Sequence, residues 1–99
     1  MSRFDVYANR HEAGYLLDVQ SDLLGQLNTR VVVPLLPLDI APAPAQRLNP
    51  QFTVQGVTVS MVTQYMAAIP AAELAQHICS LDRERDAILQ AIDFLHQGW

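Results

Sequence analysis

The chain has 99 residues with six arginines, no lysine and ten acidic residues, which gives a formal net charge of −4. This length predicts one domain, residues 1–99, with a modest core, and a hydrophobic content of 51% favours a globular fold. No apolar run is long enough to span a membrane. The acidic balance disfavours direct nucleic-acid binding, because basic side chains supply most of the affinity for phosphates.

The N-terminus and the cysteine usage predict a cytoplasmic protein. Residues 1–5 contain no apolar signal region, so we expect no secretion. The single cysteine, Cys79, cannot form a disulfide within the chain, which fits a reducing compartment. Its apolar neighbour Ile78 favours a buried, inert thiol over a nucleophile.

The N-terminal third predicts a hairpin followed by a third strand. Residues 4–7 alternate apolar and polar, residues 15–19 form a second apolar run, and the polar residues 8–14 between them suit a turn. Residues 30–33 form a β-branched run with a strong strand preference. Pro34 follows and has no N–H for a ladder bond, so we expect it at a strand end or at an edge.

A proline-rich segment follows the third strand. Residues 34–50 hold five of the six prolines, and the Ala-Pro-Ala-Pro-Ala run at residues 41–45 cannot continue a helix or a central strand. We interpret it as a stiff surface connection between strands. A proline-rich recognition sequence is the alternative.

A second hairpin is predicted around Gln55–Gly56, between residues 52–54 and 57–62. Glycine at the second turn position tolerates the positive φ that a tight hairpin turn needs. The alternation along the second strand predicts a buried face of Val57, Val59 and Met61 and an open face of Thr58 and Ser60.

A helix is predicted at the C-terminus, beginning near Ser80 or Asp82, either of which can cap it, and ending at Gly98. The charged residues 82–86 are interpreted as a solvated face. Several short strands and one closing helix predict a small barrel or sandwich. The core-facing stripe at helical spacing consists of Leu81, Ile88, Ala91, Ile92 and Leu95.

No catalytic or metal-binding cluster is visible in the sequence, so we expect neither catalytic residues nor a cofactor. His11, His77 and His96 are isolated and lack metal-ligand spacing. Arg10, His11 and Glu12 are adjacent and could in principle serve a ribonuclease, but neighbours on a strand point to opposite faces. We therefore interpret these three as exposed charges at the hairpin tip.

An exposed indole is predicted at the C-terminus. Trp99 follows Gly98, beyond the last residue of the helical stripe, and an exposed Trp is a favoured anchor at protein–protein contacts. The alternative is that Trp99 folds back over the core, because large aromatic residues are highly buried on average.

Several blocks of this sequence resemble the CcdB toxin family. Residues 18–24 have the sequence Asp-Val-Gln-Ser-Asp-Leu-Leu, and residues 30–35 place an Arg and three valines before Pro-Leu. Together they look like the signature segment of that family. Residues 48–50 resemble its Leu-x-Pro, residues 62–70 resemble its Met-Thr-x-x-Met-Ala-x-Val-Pro, and the C-terminal helix aligns without a gap.

The resemblance implies a mainly β fold, an SH3-like barrel with a small additional sheet and a C-terminal α-helix. It implies a non-enzymatic toxin of a plasmid or chromosomal toxin–antitoxin pair that acts as a homodimer. Such a toxin binds the A subunit of DNA gyrase and traps the gyrase–DNA cleavage complex. A CcdA-like antitoxin with a disordered C-terminal segment neutralises it.

The resemblance also implies a gyrase-binding surface, which departs from the family pattern in this chain. Gln97 occupies the family's Trp position, His96 replaces a Phe, and Asp93 replaces an Asn. A ribonuclease toxin of the related MazF type, with the same fold, is the alternative; a basic groove with convergent acid and base residues would distinguish it. The expected gyrase-binding residues are Leu23, Leu24, Asp93, His96, Gln97, Gly98 and Trp99.

Overall fold

The computed structural model describes residues 1–98 and shows a curled antiparallel sheet, a half-barrel, followed by a helix. The predicted SH3-like barrel with a C-terminal helix is confirmed. No helix within this range is both long and apolar enough to cross a membrane. The elements are β1 (Asp5–Ala8), β2 (Tyr15–Asp18), β3 (Thr29–Pro37), β4 (Gln51–Val54), β5 (Val57–Met61), β6 (Ala67–Pro70), β7 (His77–Ser80) and α1 (Arg85–Gln97).

The strand β3 organises the sheet, because it is the longest strand and pairs with three others. The hydrogen-bonded order is β4-β5-β3-β2-β1-β7, and β6 joins β3 outside this path. One edge of β3 pairs with β2 at residues 32–35, while its other edge pairs first with β6, at residues 29–32, and then with β5, at residues 35–37. This change of partner lets a short chain curl into a barrel.

Pro34 lies inside β3 and not at its end, so that expectation is wrong. Its carbonyl accepts a hydrogen bond from the Val62 N–H at 3.0 Å. The nitrogen of a strand residue faces the same side as its carbonyl. On that side the partner of β3 changes, since β6 pairs up to Val32 and β5 begins at Leu35. The missing N–H therefore falls at a gap between partners, where no ladder bond is lost.

Both predicted hairpins are confirmed. The Gln55–Gly56 turn has positive φ at both residues, 51° and 78°, and joins the Val54–Val57 pair of β4 and β5. In the first hairpin, Gly14 has φ 101°, and a Cβ there would lie 2.3 Å from the Leu35 carbonyl oxygen. Glycine is therefore required at residue 14 by close approach of the backbone as well as by its conformation.

The main core lies between the curled sheet and α1. Ile88 and Ala91 are fully buried against strand residues, whereas Leu95 is 36% exposed, so the predicted stripe does not extend to it. The helix begins at Arg85, after a 3₁₀ turn at Asp82–Glu84, and residues 82–86 are exposed as predicted. Gly98 ends the helix with a left-handed φ of 76°, as expected.

The strand β5 departs from the predicted alternation at two residues. Val57 is 46% exposed beside the turn, whereas Ser60 is buried. Ser60 pairs across the sheet with Leu36, which is also buried, so this face of β5 is covered. A second, smaller core of Tyr7, Val32 and Leu74 packs with Leu16 and Ile69.

Candidate functional site

A buried ion pair lies beneath the block that carries the family resemblance. The Nε of Arg30 donates to Oδ2 of Asp18 at 2.9 Å, and its Nη2 lies 2.6 Å from the same oxygen. Their side chains are 1% and 0% exposed. Burial raises the pKa of Asp18, and the hydrogen bond from Arg30 acts in the opposite direction. Arg30 is thus the buried partner of Asp18 and not a surface charge.

Gln20 and Ser21 extend this pair into a rigid loop. The Gln20 side chain accepts from the Val31 N–H at 3.1 Å and donates to the Leu24 carbonyl at 2.9 Å. The Ser21 hydroxyl accepts from the Leu23 N–H at 3.2 Å and caps the 3₁₀ turn at Asp22–Leu24. These bonds fix the backbone of residues 20–24, which we call the leucine loop, and leave two leucine side chains in solvent. Leu23 is 89% exposed and Leu24 is 50% exposed.

The leucine loop is also anchored to the N-terminus. Oδ1 of Asp22 accepts from the Arg3 N–H at 2.8 Å. The guanidinium groups of Arg3 and Arg85 lie 5.2 and 5.6 Å from the ring centre of Phe4, within range of cation–π contacts. A cavity of about 280 Å³ separates the loop from α1, and it is lined by Arg3, Phe4, Ser21, Asp22, Leu23, Asp82, Arg85 and Leu89.

The other expected binding residues lie at the far end of α1. Asp93, His96, Gln97 and Gly98 are all exposed, and the Gly98 N–H donates to the Phe94 carbonyl at 2.9 Å. Leu23 and Leu89 of α1 line the same cavity, and the eight residues from Leu89 to the helix end at Gln97 span about 12 Å at 1.5 Å per residue. The expected residues therefore form two groups on one protomer. Trp99 lies outside the described residues.

The structure brings together an exposed charged cluster that the sequence did not predict. Glu73 follows β6 in a 3₁₀ turn, and its Oε2 lies 3.2 Å from Nε2 of His11 and 3.9 Å from Nη1 of Arg10. Arg10, His11 and Glu12 are exposed in the β1–β2 connection, as expected of charges at the hairpin tip. The strand argument for keeping them apart does not apply there, and Arg10 and His11 both approach Glu73. We call Arg10, His11 and Glu73 the His11 cluster.

No local signal in the sequence identifies the acid of this cluster, because Glu73 is 62 residues from His11. Its position depends on the second core, which packs Leu16 of β2 and Ile69 of β6 against the same buried residues. The cluster borders a cavity of about 310 Å³, lined by Asn9, Arg10, His11, Glu12, Leu16, Ile69, Pro70 and Glu73.

The remaining titratable groups on β1 and β7 form a separate set. Nε2 of His77 lies 3.3 Å from Oδ1 of Asp5, and the His77 ring meets Tyr7 edge-on. Cys79 is partly buried, and burial, with a smaller contribution from Asp5, raises its pKa. A protonated thiol is a poor nucleophile, which supports the interpretation of Cys79 as inert. In the described part of the chain, no three His, Cys, Asp or Glu side chains are placed to share a metal ion.

These features define a small SH3-like barrel with a C-terminal helix, an outward-held leucine pair and a separate polar cavity. A family model described as CcdB protein matches residues 3–98. The chain therefore belongs to the CcdB family, a family of toxins from toxin–antitoxin pairs.

The fold is also similar to a solved structure of an endoribonuclease from Mycobacterial species in complex with its cognate antitoxin. The TM-score is 0.80 at 15% sequence identity, and the match covers 100% of this chain and 98% of the other. At this low sequence identity, the comparison shows that the two proteins share a fold and nothing further.

The comparison and the His11 cluster together overturn the expectation that the chain is not an enzyme. That expectation followed from the resemblance to the CcdB family and from the absence of a visible catalytic cluster in the sequence. A similar fold belongs to an endoribonuclease, and Arg10 and His11 both approach Glu73 in this chain.

Proposed function

We propose that this protein is a toxin that binds the A subunit of DNA gyrase and traps the gyrase–DNA cleavage complex. The observation that carries the proposal is the 89% exposure of Leu23 on a loop held by buried hydrogen bonds. A large apolar side chain fixed in solvent is the arrangement of a binding anchor, because little conformational entropy is lost when a partner covers it. Membership of the CcdB family supports gyrase as that partner.

The proposed gyrase-binding surface needs two copies of the chain. In one protomer the leucine loop and the helix end are separate, and large apolar side chains such as Tyr65 and Leu95 remain 52% and 36% exposed. A two-fold axis near the helix ends would bury part of this surface and bring the two tails, residues 93–99, together. Sedimentation at micromolar concentration should show a dimer, and a monomer alone would contradict this part of the proposal.

The proposed setting is the bacterial cytoplasm, where gyrase acts on DNA. A CcdA-like antitoxin with a disordered segment would cover the same exposed leucines, since such segments gain their order by wrapping apolar surface. A plasmid or chromosomal maintenance role would follow from this pairing.

A DNA-cleavage assay tests the proposal. Purified protein is incubated with gyrase and supercoiled plasmid, and linear DNA is measured after denaturation of the enzyme. The unmodified chain should accumulate linear DNA, and Leu23→Asp should not. Leu38→Asp is the matched control, because Leu38 is 48% exposed in the connection after β3 and is not among the residues that line the cavity beside Leu23. Linear DNA with Leu23→Asp at the unmodified level, or none with the unmodified chain, would overturn the proposal.

A further inference from the structure

The curled sheet ends in two strands whose outer edges are unpaired within residues 1–98. In the order β4-β5-β3-β2-β1-β7, the described part of the chain pairs β4 with β5 alone and β7 with β1 alone. A groove of about 430 Å³ lies between these two ends of the half-barrel, and we call it the edge groove. It is lined by Gln51, Phe52, Thr53, Thr58, Ser80, Leu81, Arg83 and Glu84.

The backbone of β4 presents free donors and acceptors to the edge groove. The Met61 N–H donates to the Pro50 carbonyl at 2.9 Å, in the same register as the pairs of β4 with β5. Hydrogen-bonded pairs alternate along an antiparallel ladder, so the bonds to β5 fall on every second residue. The N–H and C=O groups of Gln51 and Thr53 therefore point away from β5. Both residues are exposed and line the groove.

The backbone of β7 presents a second set of free groups. The Leu81 N–H donates to the Phe4 carbonyl at 2.8 Å, in register with the Asp5–Ser80 pair of β1 and β7. By the same alternation, the N–H and C=O groups of Ser80 point away from β1. Ser80 is exposed and lines the edge groove. Two unpaired strand edges therefore border the same groove.

A single extended peptide is the occupant that satisfies both edges. Its N–H and C=O groups alternate between its two sides, so one side pairs with β4 and the other with β7. A second copy of this chain could offer its β4, but one edge of that strand is already bonded to β5. A strand residue occupies roughly 160 Å³, from a rise of about 3.4 Å, a strand spacing of about 4.8 Å and a sheet spacing of about 10 Å. The groove therefore holds about three residues.

The charged residues at the groove favour an acidic side chain in the occupant. The neighbouring Arg85 is bonded to Asp82, whereas Arg83 forms no ion pair within residues 1–98. Glu84 caps the start of α1, where the positive end of the helix dipole stabilises a carboxylate. Arg83 is therefore the uncompensated charge of the groove, and a carboxylate is its complement.

From this geometry we propose that the edge groove binds an extended peptide segment of a partner protein. About three residues of the segment lie between β4 and β7, and an acidic side chain lies beside Arg83. Thr53 and Phe52 point to opposite faces of β4, so the added strand meets a hydroxyl on one face and an apolar ring on the other. Threonine and valine in alternation match both faces.

Peptide binding to the purified full-length protein tests the proposal. The probes are two fluorescein-labelled peptides, Asp-Thr-Val-Thr-Val and Val-Thr-Val-Thr-Asp, because the direction of the added strand decides which end meets Arg83. Fluorescence anisotropy measures affinity, and amide hydrogen exchange locates the site. At least one probe should bind and should slow exchange at Thr53 and Ser80, whose N–H groups become bonded. The same probe with every second amide N-methylated should bind about tenfold more weakly or worse, because one row of main-chain bonds is lost.

Variants of the groove separate main-chain pairing from side-chain contact. Thr53→Pro removes an N–H that points away from β5, and an edge strand tolerates the proline, so the fold is kept. Its affinity for the probe should fall about tenfold or more, whereas the matched control Thr53→Ala keeps the N–H and should bind within about twofold of the unmodified chain. Arg83→Gln should weaken binding about two- to fivefold, and should not weaken binding of a probe with Lys in place of Asp. Arg10→Gln, outside the groove, should change neither affinity.

Three results would overturn the inference. The first is no binding of either probe at millimolar concentration, and the second is unchanged binding by Thr53→Pro. The third is an assembly in sedimentation that Thr53→Pro dissolves, which would assign the edge of β4 to a second copy of this chain. The gyrase assay is independent, because Leu23 lines a different cavity, and Leu23→Asp should bind the probe as the unmodified chain does.

Discussion

The two charged clusters of this barrel differ in burial, and the difference predicts different effects on stability. Asp18 and Arg30 are 0% and 1% exposed and contact at 2.6 Å, whereas Arg10 and Glu73 are 53% and 38% exposed and contact at 3.9 Å. Breaking a buried pair leaves a desolvated charge without a partner, but a solvated pair is screened by water. The buried pair should therefore govern stability, and the exposed cluster should be free to change with little effect on the fold.

The largest expected effect is loss of the buried pair. Arg30→Ala should lower the free energy of unfolding by about 3–5 kcal/mol, because the Asp18 carboxylate is left buried without its partner. Urea denaturation of Arg30→Ala and Arg10→Ala measures the contrast. A loss below about 1 kcal/mol in Arg30→Ala, a value ordinary for surface pairs, would show that this pair is solvated in the folded protein.

Removal of the Gln20 side chain should have the next largest effect. Gln20→Ala leaves the Val31 N–H and the Leu24 carbonyl without their partners and should cost about 1–3 kcal/mol of unfolding free energy. Because the leucine loop loses its support, the yield of linear DNA in the gyrase assay should fall further than the folded fraction does. If the yield of linear DNA and the folded fraction fall equally, the hydrogen bonds of Gln20 are not needed for gyrase trapping.

The pH dependence of stability tests the state of Asp18. Burial raises the pKa of Asp18 in the folded protein above 3.8, its value in the unfolded chain. At a pH between these two pKa values, Asp18 is protonated in the folded protein and ionised in the unfolded chain. The contribution of Asp18 to the free energy of unfolding is then largest below pH 3.8 and falls as pH rises through the raised pKa.

Asp18→Asn provides the reference for this titration, because it lacks the proton exchange. The stability of the unmodified chain relative to Asp18→Asn should decrease with rising pH across that window, measured by urea denaturation at each pH. An increase with pH would show that Arg30 keeps the folded carboxylate ionised and outweighs burial.

The smallest effects on stability are expected at the exposed sites. Arg10→Ala, and separately deletion of residues 98–99, should each change the free energy of unfolding by less than about 0.5 kcal/mol. Gly98 has open space around it, and its described contact is one hydrogen bond to the helix end. The deletion should nevertheless abolish gyrase trapping. Unfolding of the truncated chain would assign Trp99 to the core.

Local features of the fold could be predicted from the sequence. Both hairpins and the end of the helix at Gly98 were predicted, because turn and cap conformations depend on the residues at those positions. Much of the apolar pattern was also predicted, except where burial depends on a neighbouring strand. Ser60 is buried because Leu36 lies beside it, and Leu95 is exposed although it continues the helical spacing.

The candidate sites likewise include one that the sequence indicated and one that only the structure showed. The sequence indicated Leu23 and Leu24 as binding residues through its resemblance to a family, but the resemblance did not show what holds them in solvent. The structure shows that Asp18, Gln20 and Arg30 hold the loop. The sequence analysis considered Arg10 and His11 with Glu12 and set them aside on strand geometry, whereas the acid that contacts His11 is Glu73, which lies in a distant turn.

By itself the sequence determined the family, the hairpins and the end of the helix at Gly98, since each depends on local residue types and spacing. The tertiary structure alone decided the partner of Arg30, the tolerance of Pro34 inside β3 and the meeting of His11 with Glu73. These three depend on which strands pair and in which register. Strand register is set by packing across the whole sheet, and residues far apart in the chain become neighbours only after the barrel has curled.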